Sequence, residues 1–438
     1  MSFKVRVGIA IVVLACVALI SCGCAVTDDK REDGLLVYTL DENPSLKQVI
    51  SRYEEQHPEK PVNMVVGIPE GSDISADDAI RSLNAMMAAG DVPDVLVLDG
   101  LPIDRMVDQG LLSDLSSIKE RLMSDDEYFE NIVFSSIGDG RYACTTQFSL
   151  PAVAGDSGWI NEFDSVSELV ASMEEDEFDA LASGCSLFEV YSAFYPWLFT
   201  EGTVDEDMLQ KLFLSEAALL HAAESWLPAE YLEEEGGYLS SSPMCFVQPN
   251  STFSTGDLFT SEGCKLQIAS IDTWTSFGTL ALTTNETDYP CSYKLLKEKE
   301  AVFVPNTILG IPTNAQHNEE AEEFVAYTLS SESQKSIQGM GIPVNKSAYK
   351  ELLEDNGGYA IGFMGDNGEL EEHAIDALSA EDIEGAWKLI EEVHCGVAFD
   401  RVITTAVADA FNDYYNGTMN LDDAVSYVIE RVGLYTKQ

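Results

Sequence analysis

The sequence predicts an α/β protein that begins with a mostly parallel sheet. Between residues 35 and 98, three short apolar runs alternate with two stretches that carry apolar residues at helical spacing. This is the β-α-β-α-β order of a parallel sheet covered by helices. A second block, a strand followed by a helix, begins at Ala301. The chain has 438 residues, of which 45% are hydrophobic, so it can supply the cores of two or three domains.

Each element of the first block has its own signal. The strands are expected at residues 35–40, 61–68 and 95–98. The first helix is expected at residues 45–56, where apolar residues recur every three or four positions. The second helix is expected at residues 77–89, because Gly90 is a typical residue directly after a helix.

The remaining elements follow from the same patterns. Further helices are predicted at residues 162–173, 205–226, 318–329 and 332–337, and a further strand at residues 301–304. The tail from Ser379 is predicted to be helical, with a turn at Asn416-Gly417. Ser379, followed three residues later by Asp382, is a typical capped start.

The net charge excludes one class of partner. Lys and Arg total 24 against 76 Asp and Glu, which gives a net charge of −52. Such a surface repels phosphate backbones, so we expect no nucleic-acid partner. It also offers no attraction to anionic lipids. Any association with a membrane must therefore come from a separate segment.

The first 21 residues have the features of a secretory signal peptide. Lys4 and Arg6 give a positive start, and residues 7–20 are almost entirely apolar. That run is shorter than the roughly 20 residues that span a bilayer core. Residues 19–22, Leu-Ile-Ser-Cys, resemble the lipobox of bacterial lipoproteins, in which the cysteine receives a diacylglyceryl group.

We therefore expect Cys22 to be the lipidated first residue of the mature chain. Residues 22–34 would form a tether, and the protein would sit on the extracytoplasmic face of the cell membrane. The alternative is cleavage by the ordinary signal peptidase, with Cys22 and Cys24 as bystanders.

The nine cysteines give no disulfide framework, because they are scattered and contain no C-x-x-C pair. Buried free thiols behave as small hydrophobic side chains, and this is the expected state of the cysteines after Cys22. A Cys245–Cys264 disulfide is the alternative.

Three segments of the chain carry a recognisable combination of motifs. The first covers residues 83–99 and 109–115, with a Gly-x-x-Pro-Asp motif that starts at Gly90. The second covers residues 309–346, and the third is the helix-turn-helix at residues 415–424. Together they resemble the family-1 extracellular solute-binding proteins of bacterial ABC importers, the group that includes maltose-binding protein.

The resemblance extends well over residues 35–120 and 300–346 and poorly over residues 150–260. Thr145 departs from the family, which often has a proline at this point.

The resemblance implies a type II periplasmic-binding-protein-like fold, with two α/β lobes, hinge crossovers and a ligand cleft between the lobes. Lobe 1 would consist of residues 35–147 plus 302–346, and lobe 2 of residues 148–301 plus 347–438.

The implied function is capture of a small molecule, with a mono- or oligosaccharide as the leading ligand. The protein would act as a monomer without a cofactor and would deliver its ligand to the permease subunits of an ABC importer. The alternatives are a binder of a peptide or other polar solute, and a surface-anchored glycoside hydrolase or accessory lipoprotein.

Candidate ligand-binding residues follow the predicted strands, because α/β sheets bind ligands at the carboxyl ends of their strands. Asp41 and Asn43 follow the first strand, and Asp99 and Leu101 follow the third. A carboxylate there can accept hydrogen bonds from sugar hydroxyls. The same residue types also serve as helix caps and turn formers.

The resemblance adds candidates in three other places. They are Gln147 and Phe148 at the first crossover, Tyr191 and Tyr195 in an aromatic stretch, and Asp272 and Trp274 in a segment that in the family ends in a cleft tryptophan. An indole face suits the C–H face of a sugar ring. Each aromatic side chain could equally belong to the core.

The sequence contains no H-E-x-x-H, Walker, G-x-S-x-G or G-x-G-x-x-G motif. Among 76 acidic residues, a pair of carboxylates suitable for glycoside hydrolysis would arise by chance. Residues 391–395 include metal-binding types, but adjacent residues of a helix point in different directions. We therefore expect a binding protein rather than an enzyme, with no metal site.

Overall fold

The computed structural model describes residues 34–437 with internal gaps. These gaps are residues 124–126, 176–186, 201–202, 225–265, 274, 287–289, 337–340, 355–358 and 365–369. The signal peptide, Cys22, the tether up to residue 33, the Cys245–Cys264 pair and Trp274 therefore lie outside the described residues. No helix within the described ranges is long and apolar enough to cross a membrane.

The strands and helices are numbered in chain order. The described strands are β1 (Leu35–Thr39), β2 (Val62–Val66), β3 (Val95–Val97), β4 (Cys144–Thr145), β5 (Gln147–Asp156), β6 (Phe199–Thr200), β7 (Thr203–Val204), β8 (Leu266–Ile271), β9 (Cys291–Leu295), β10 (Val302–Pro305), β11 (Ile308–Gly310), β12 (Ile342–Pro343), β13 (Tyr359–Met364), β14 (Leu370–Ile375) and β15 (Cys395–Gly396). The described helices are α1 (Pro44–Gln56), α2 (Ala76–Ala88), α3 (Ile103–Asp108), α4 (Ser116–Leu122), α5 (Glu130–Val133), α6 (Ser157–Ile160), α7 (Val166–Glu175), α8 (Leu187–Leu198), α9 (Glu206–Glu224), α10 (Thr275–Glu286), α11 (Asn318–Thr328), α12 (Ser331–Lys335), α13 (Lys346–Glu354), α14 (Ala380–Glu391), α15 (Arg401–Tyr415) and α16 (Leu421–Tyr435).

The first sheet has the strand order β2-β1-β3-β11-β4. β1 runs parallel to β2 and β3, whereas β11 runs antiparallel to β3 and β4. Leu35 and Val37 pack in the same cluster as α1, while Tyr38 and Leu40 pack with α2 and α3. Helices thus cover both faces of this sheet, which is why its strands are apolar throughout.

The second sheet is built around the long strand β5. The first residues of β5 pair with β10 and β12, and its later residues pair with β8 and β9, all antiparallel. Phe148 and Leu150 belong to a cluster that continues into the first sheet, whereas Val153 packs with α8, α9, α15 and α16. Alternate side chains of β5 therefore pack into two different hydrophobic cores.

The predicted α/β class is confirmed, and the three strands of the first block lie within two residues of their predicted bounds. The predicted helix at residues 162–173 begins too early. The Asp156 carboxylate caps a separate short helix, α6, and α7 begins only at Val166, whose N–H donates to the Lys297 carbonyl at 2.9 Å. The capping box at Ser379 and Asp382 is confirmed.

The tail is not wholly helical as predicted. Cys395 and Gly396 form β15, which pairs in parallel with Val302 and Phe303 of β10. The partner strand lies far away in the sequence, so no local pattern indicates this strand.

Candidate functional site

A cavity of about 210 Å³ lies between the two sheets, at the carboxyl ends of β1 and β3. Asp41, Asp99, Gly100 and Ile308 line it on the side of the first sheet. On the other side, the lining consists of Phe188, Val304, Pro305, Asn306, Val397, Ala398, Phe399, Arg401 and Thr404. Larger grooves exist near Lys60 and Lys297, but neither lies at the carboxyl ends of the parallel strands β1 and β3.

Asp99 is the buried carboxylate of the cavity. Its Oδ2 accepts a hydrogen bond from the Ile308 N–H at 2.8 Å. Burial raises the pKa of Asp99 to about 7, and the neighbouring Asp41 carboxylate acts in the same direction. Asp99 therefore changes its charge near neutral pH.

Asp41 faces the side chain of Arg401, with 3.8 Å between Asp41 Oδ1 and the Arg401 guanidinium nitrogen. Burial raises the pKa of Asp41, whereas the positive charge of Arg401 opposes this shift. The Arg401 side chain is only 12% exposed. The cavity thus combines two carboxylates and one guanidinium, which together can accept and donate hydrogen bonds to a polar ligand.

The start of α15 is fixed to the end of β3. The Arg401 N–H donates to the Gly100 carbonyl at 3.0 Å, and Asp400 caps α15 by accepting from the Val402 N–H at 2.9 Å. Gly100 has a φ of +76°, and a Cβ there would lie 2.9 Å from Leu40 Cδ2. This position therefore requires glycine, and the close approach brings Arg401 to the cavity.

The two candidate tyrosines of α8 lie behind the cavity wall. Tyr191 is fully buried, its ring stacks on Phe399 at 5.4 Å, and its hydroxyl lies 3.2 Å from Thr404 Oγ1. The Tyr195 hydroxyl accepts from the Asp400 N–H at 2.9 Å. Because Phe399 and Thr404 line the cavity, the tyrosines hold its lining in place.

Asn43 caps the start of α1 and also contacts Thr307, which lies between β10 and β11. Its Oδ1 accepts from the Leu46 N–H at 2.8 Å, and its Nδ2 donates to Thr307 Oγ1 at 2.9 Å. Thr307 has a φ of +142°, which is rare for a β-branched residue. Strained backbone of this kind occurs at ligand sites and switch regions.

Leu101 and Phe148 lie in hydrophobic clusters rather than on the cavity lining. Leu101 is 2% exposed and belongs to the cluster of α2 and α3. The Phe148 ring packs edge-on against Phe129 and Phe303. Leu101 follows the third strand and Phe148 lies at the crossover, and the apolar side chains of both residues fill the core.

Gln147 is buried and Asp272 is partly buried, and both side chains are incompletely hydrogen-bonded. The Gln147 side chain is 1% exposed, and neither its Nε2 nor its Oε1 has a partner among the described residues. Asp272 Oδ1 likewise has no partner there, and burial raises the pKa of Asp272 to about 6.

Sequence reasoning missed Arg401, although a signal was present. Arg401 is the first residue of α15, where acidic residues are favoured because of the helix dipole. The chain has only 24 basic residues, so a basic residue at this unfavourable position indicates an interaction with a distant part of the chain. The structure shows this interaction, because the Arg401 side chain faces Asp41 at the cavity.

No protein-family model matches the chain, and no curated protein matches its sequence. Solved structures do match. A family-1 extracellular solute-binding protein from Alicyclobacillus acidocaldarius has a TM-score of 0.51 and 13% identity, with 92% of this chain and 99% of that chain covered. Maltose-bound MalE3 of T. maritima has a TM-score of 0.51 and 13% identity, with 91% and 100% covered.

The mannotriose-bound protein CpMnBP1 has a TM-score of 0.53 and 12% identity, with 91% of this chain and 99% of that chain covered. At such low sequence identities the structural similarity establishes the fold alone, and the function has to be argued from the residues of the site. The chain has the two-lobe, periplasmic-binding-protein-like fold of the extracellular solute-binding proteins of family 1.

Proposed function

We propose that this chain is a lipid-anchored extracellular solute-binding protein that captures a carbohydrate for an ABC importer. The observation that carries the proposal is the cavity between the sheets, where Asp41, Asp99 and Arg401 meet from distant parts of the sequence. Ligand sites of open α/β sheets lie at such strand ends.

The chemistry of the lining supports a sugar. Carboxylate oxygens accept hydrogen bonds from hydroxyls, and the guanidinium donates to them. The rings of Phe188 and Phe399, whose centroids are 5.5 Å apart, offer apolar area to the C–H faces of a sugar ring. Among the proteins of the same fold, one is described as maltose-bound and another as mannotriose-bound.

The division into lobes follows from the same proposal. The strands of the first sheet fall within residues 35–147 and 302–346, and β5 runs from this region into the second sheet. We propose residues 148–301 and 347–438 as the second lobe. Hinge closure about the crossover strands would then enclose the ligand. The lipobox at residues 19–22 supports the anchor.

The fold alone does not distinguish a binding protein from an enzyme, because a de novo designed cysteine esterase has a similar structure. The TM-score is 0.51 and the identity 14%, with 92% of this chain and 98% of that chain covered. Within the described ranges, no group of three or more His, Cys, Asp or Glu side chains could hold a metal ion. The hydrogen-bonding groups and phenylalanine rings of the lining support binding of a small polar ligand as the function.

A thermal-shift screen tests the proposal with neutral mono- and oligosaccharides beside tripeptides. A ligand at 100 times its Kd stabilises the folded state by about 2.7 kcal/mol, which shifts Tm measurably. We expect at least one saccharide to raise Tm, and no tripeptide to do so. Stabilisation by tripeptides alone would favour a peptide binder. Release of reducing sugar from a glycan panel would favour a hydrolase.

A further inference from the structure

One face of the second sheet carries polar side chains beside the cavity. Ser149 lies opposite Val304, and the Asn306 N–H donates to the Gln147 carbonyl at 2.8 Å. Val304 and Asn306 both line the cavity. Directly opposed residues of antiparallel strands share a face, so Gln147 and Ser149 lie on the cavity side of the sheet.

Helix α8 covers the adjoining part of this face. Ser270 of β8 pairs with Pro151, two residues after Ser149, so its side chain lies on the same face as that of Ser149. The Ser270 hydroxyl donates to the buried carboxylate of Glu189, a residue of α8, at 2.6 Å.

The side chains of Gln147 and Ser149 are buried but not hydrogen-bonded. Both residues are 1% exposed. Gln147 Nε2 and Oε1 and Ser149 Oγ have no hydrogen-bond partner in the part of the chain that the structure describes. A buried polar group without a partner costs stability, and natural proteins tolerate such groups chiefly where function uses them.

We propose that Gln147 and Ser149, here named the polar floor, are specificity-determining contacts that select an uncharged, hydroxyl-rich ligand. This inference rests on the proposed function and adds Ser149 to its site. The Gln147 amide both donates and accepts, and the Ser149 hydroxyl does either. A polyol offers both donors and acceptors and can satisfy both groups.

The charges near the polar floor act against anionic ligands. Asp41 and Asp99 line the cavity, whereas Arg401 is the basic residue of the described lining. A carboxylate or phosphate on the ligand would meet like charges on these aspartates when they are ionised, and such juxtaposition is costly at a desolvated site. A neutral sugar avoids this cost.

The first experiment needs no ligand. Replacing an unsatisfied buried polar group by an apolar group of similar size removes its desolvation cost. Ser149→Ala and Gln147→Met are therefore expected to raise the Tm of the full chain by about 2–4 °C each. Ser192→Ala is the matched control, because the buried Ser192 hydroxyl donates to the Phe188 carbonyl at 2.6 Å. The control is expected to leave Tm unchanged or to lower it.

The second experiment measures Kd by calorimetry for D-glucose, D-mannose, maltose and mannotriose, and for D-glucuronate as the anionic counterpart of glucose. For each neutral sugar that binds the parent chain, Ser149→Ala and Gln147→Met are expected to raise Kd at least tenfold. Ser192→Ala is expected to change Kd less than twofold. Glucuronate is expected to bind at least tenfold more weakly than glucose if glucose binds.

The outcomes separate the two proposals. A neutral sugar that binds all variants equally, or a lower Tm for both floor variants without ligand, overturns the polar floor and leaves the carbohydrate function intact. Tight binding of glucuronate overturns the selection for uncharged ligands. A raised Tm for both floor variants with none of the four sugars binding supports the floor as a ligand site and counts against the carbohydrate function.

Discussion

The Asp94 carboxylate accepts a hydrogen bond from the backbone N–H of His317 at 2.9 Å and so joins the start of β3 to the loop before α11. The same carboxylate also accepts from the N–H groups of Leu36 and Gln316. Asp94 is the last residue of the Gly-x-x-Pro-Asp motif, and its side chain is only 4% exposed. One carboxylate of the motif thus joins β1, the start of β3 and the loop before α11.

Replacement of Asp94 by alanine is expected to lower the free energy of unfolding by about 3 kcal/mol, because the N–H groups of Leu36, Gln316 and His317 lose their shared carboxylate acceptor. Chemical denaturation measures this loss. Asp73→Ala, at an exposed loop position, serves as the control and should change stability by less than about 0.5 kcal/mol. Equal effects of the two variants would contradict the role of Asp94.

Replacement of Arg401 by glutamine is expected to weaken binding of whichever saccharide the screen identifies by at least tenfold. The Asp41 and Asp99 carboxylates would lose a nearby positive charge, and the ligand would lose a donor. Arg401→Lys keeps the charge without the planar fork of donors and should have a smaller effect. Titration calorimetry measures both, and an unchanged Kd for Arg401→Gln would exclude Arg401 from the site.

The protein is expected to become more stable as the pH falls from about 7 to 5. Burial raises the pKa of Asp99 to about 7 and the pKa values of Asp272 and Asp400 to about 6. The folded state therefore binds more protons than the unfolded state between the ordinary pKa near 4 and these raised values. Stability is then lost as the pH rises through this window and levels off above it.

Asp99→Asn tests this pH dependence, because it keeps an acceptor for the Ile308 N–H and removes the charge. The variant should recover about 2–4 kcal/mol of the stability that the parent loses between pH 4 and 7. Tm measured across this pH range gives the comparison. A variant with the same pH dependence as the parent would show that Asp99 does not titrate in this window.

Replacement of Cys22 by serine is expected to release the protein into the medium, because serine has no thiol to carry the diacylglyceryl group. A single acyl chain gives marginal membrane binding, so anchoring depends on the second chain that this group supplies. Fractionation of cells and medium measures the release, with Cys24→Ser as the control that stays with the membrane. A Cys22→Ser protein that is processed normally and stays membrane-bound would refute the lipobox.

Replacement of Trp274 by alanine distinguishes a ligand contact from a core residue. A ligand contact predicts a raised Kd for the identified saccharide with little change in Tm. A core residue predicts a stability loss of about 3–5 kcal/mol. Tm without ligand and Kd are measured on the same preparation. Early melting with an unchanged Kd would remove Trp274 from the site.

Local sequence pattern determined the elements and part of the site. The apolar runs at residues 35–40 and 95–98 indicated strands, because side-chain period and β-branching are properties of the chain itself. The rule that parallel sheets bind ligands at strand ends then led to Asp41 and Asp99, and both line the cavity. These inferences needed no knowledge of distant contacts.

Tertiary structure decided what the pattern left open. Arg401 reaches Asp41 across 360 positions of sequence, and the polar floor exists only because β5 pairs with strands more than 100 residues away. Tyr191 and Phe148 had sequence patterns compatible with ligand contact or with the core, and the packing of α8 and β5 put both in buried clusters. Periodicity reports which residues share a face, but the partner that covers this face is set by the fold of the whole chain.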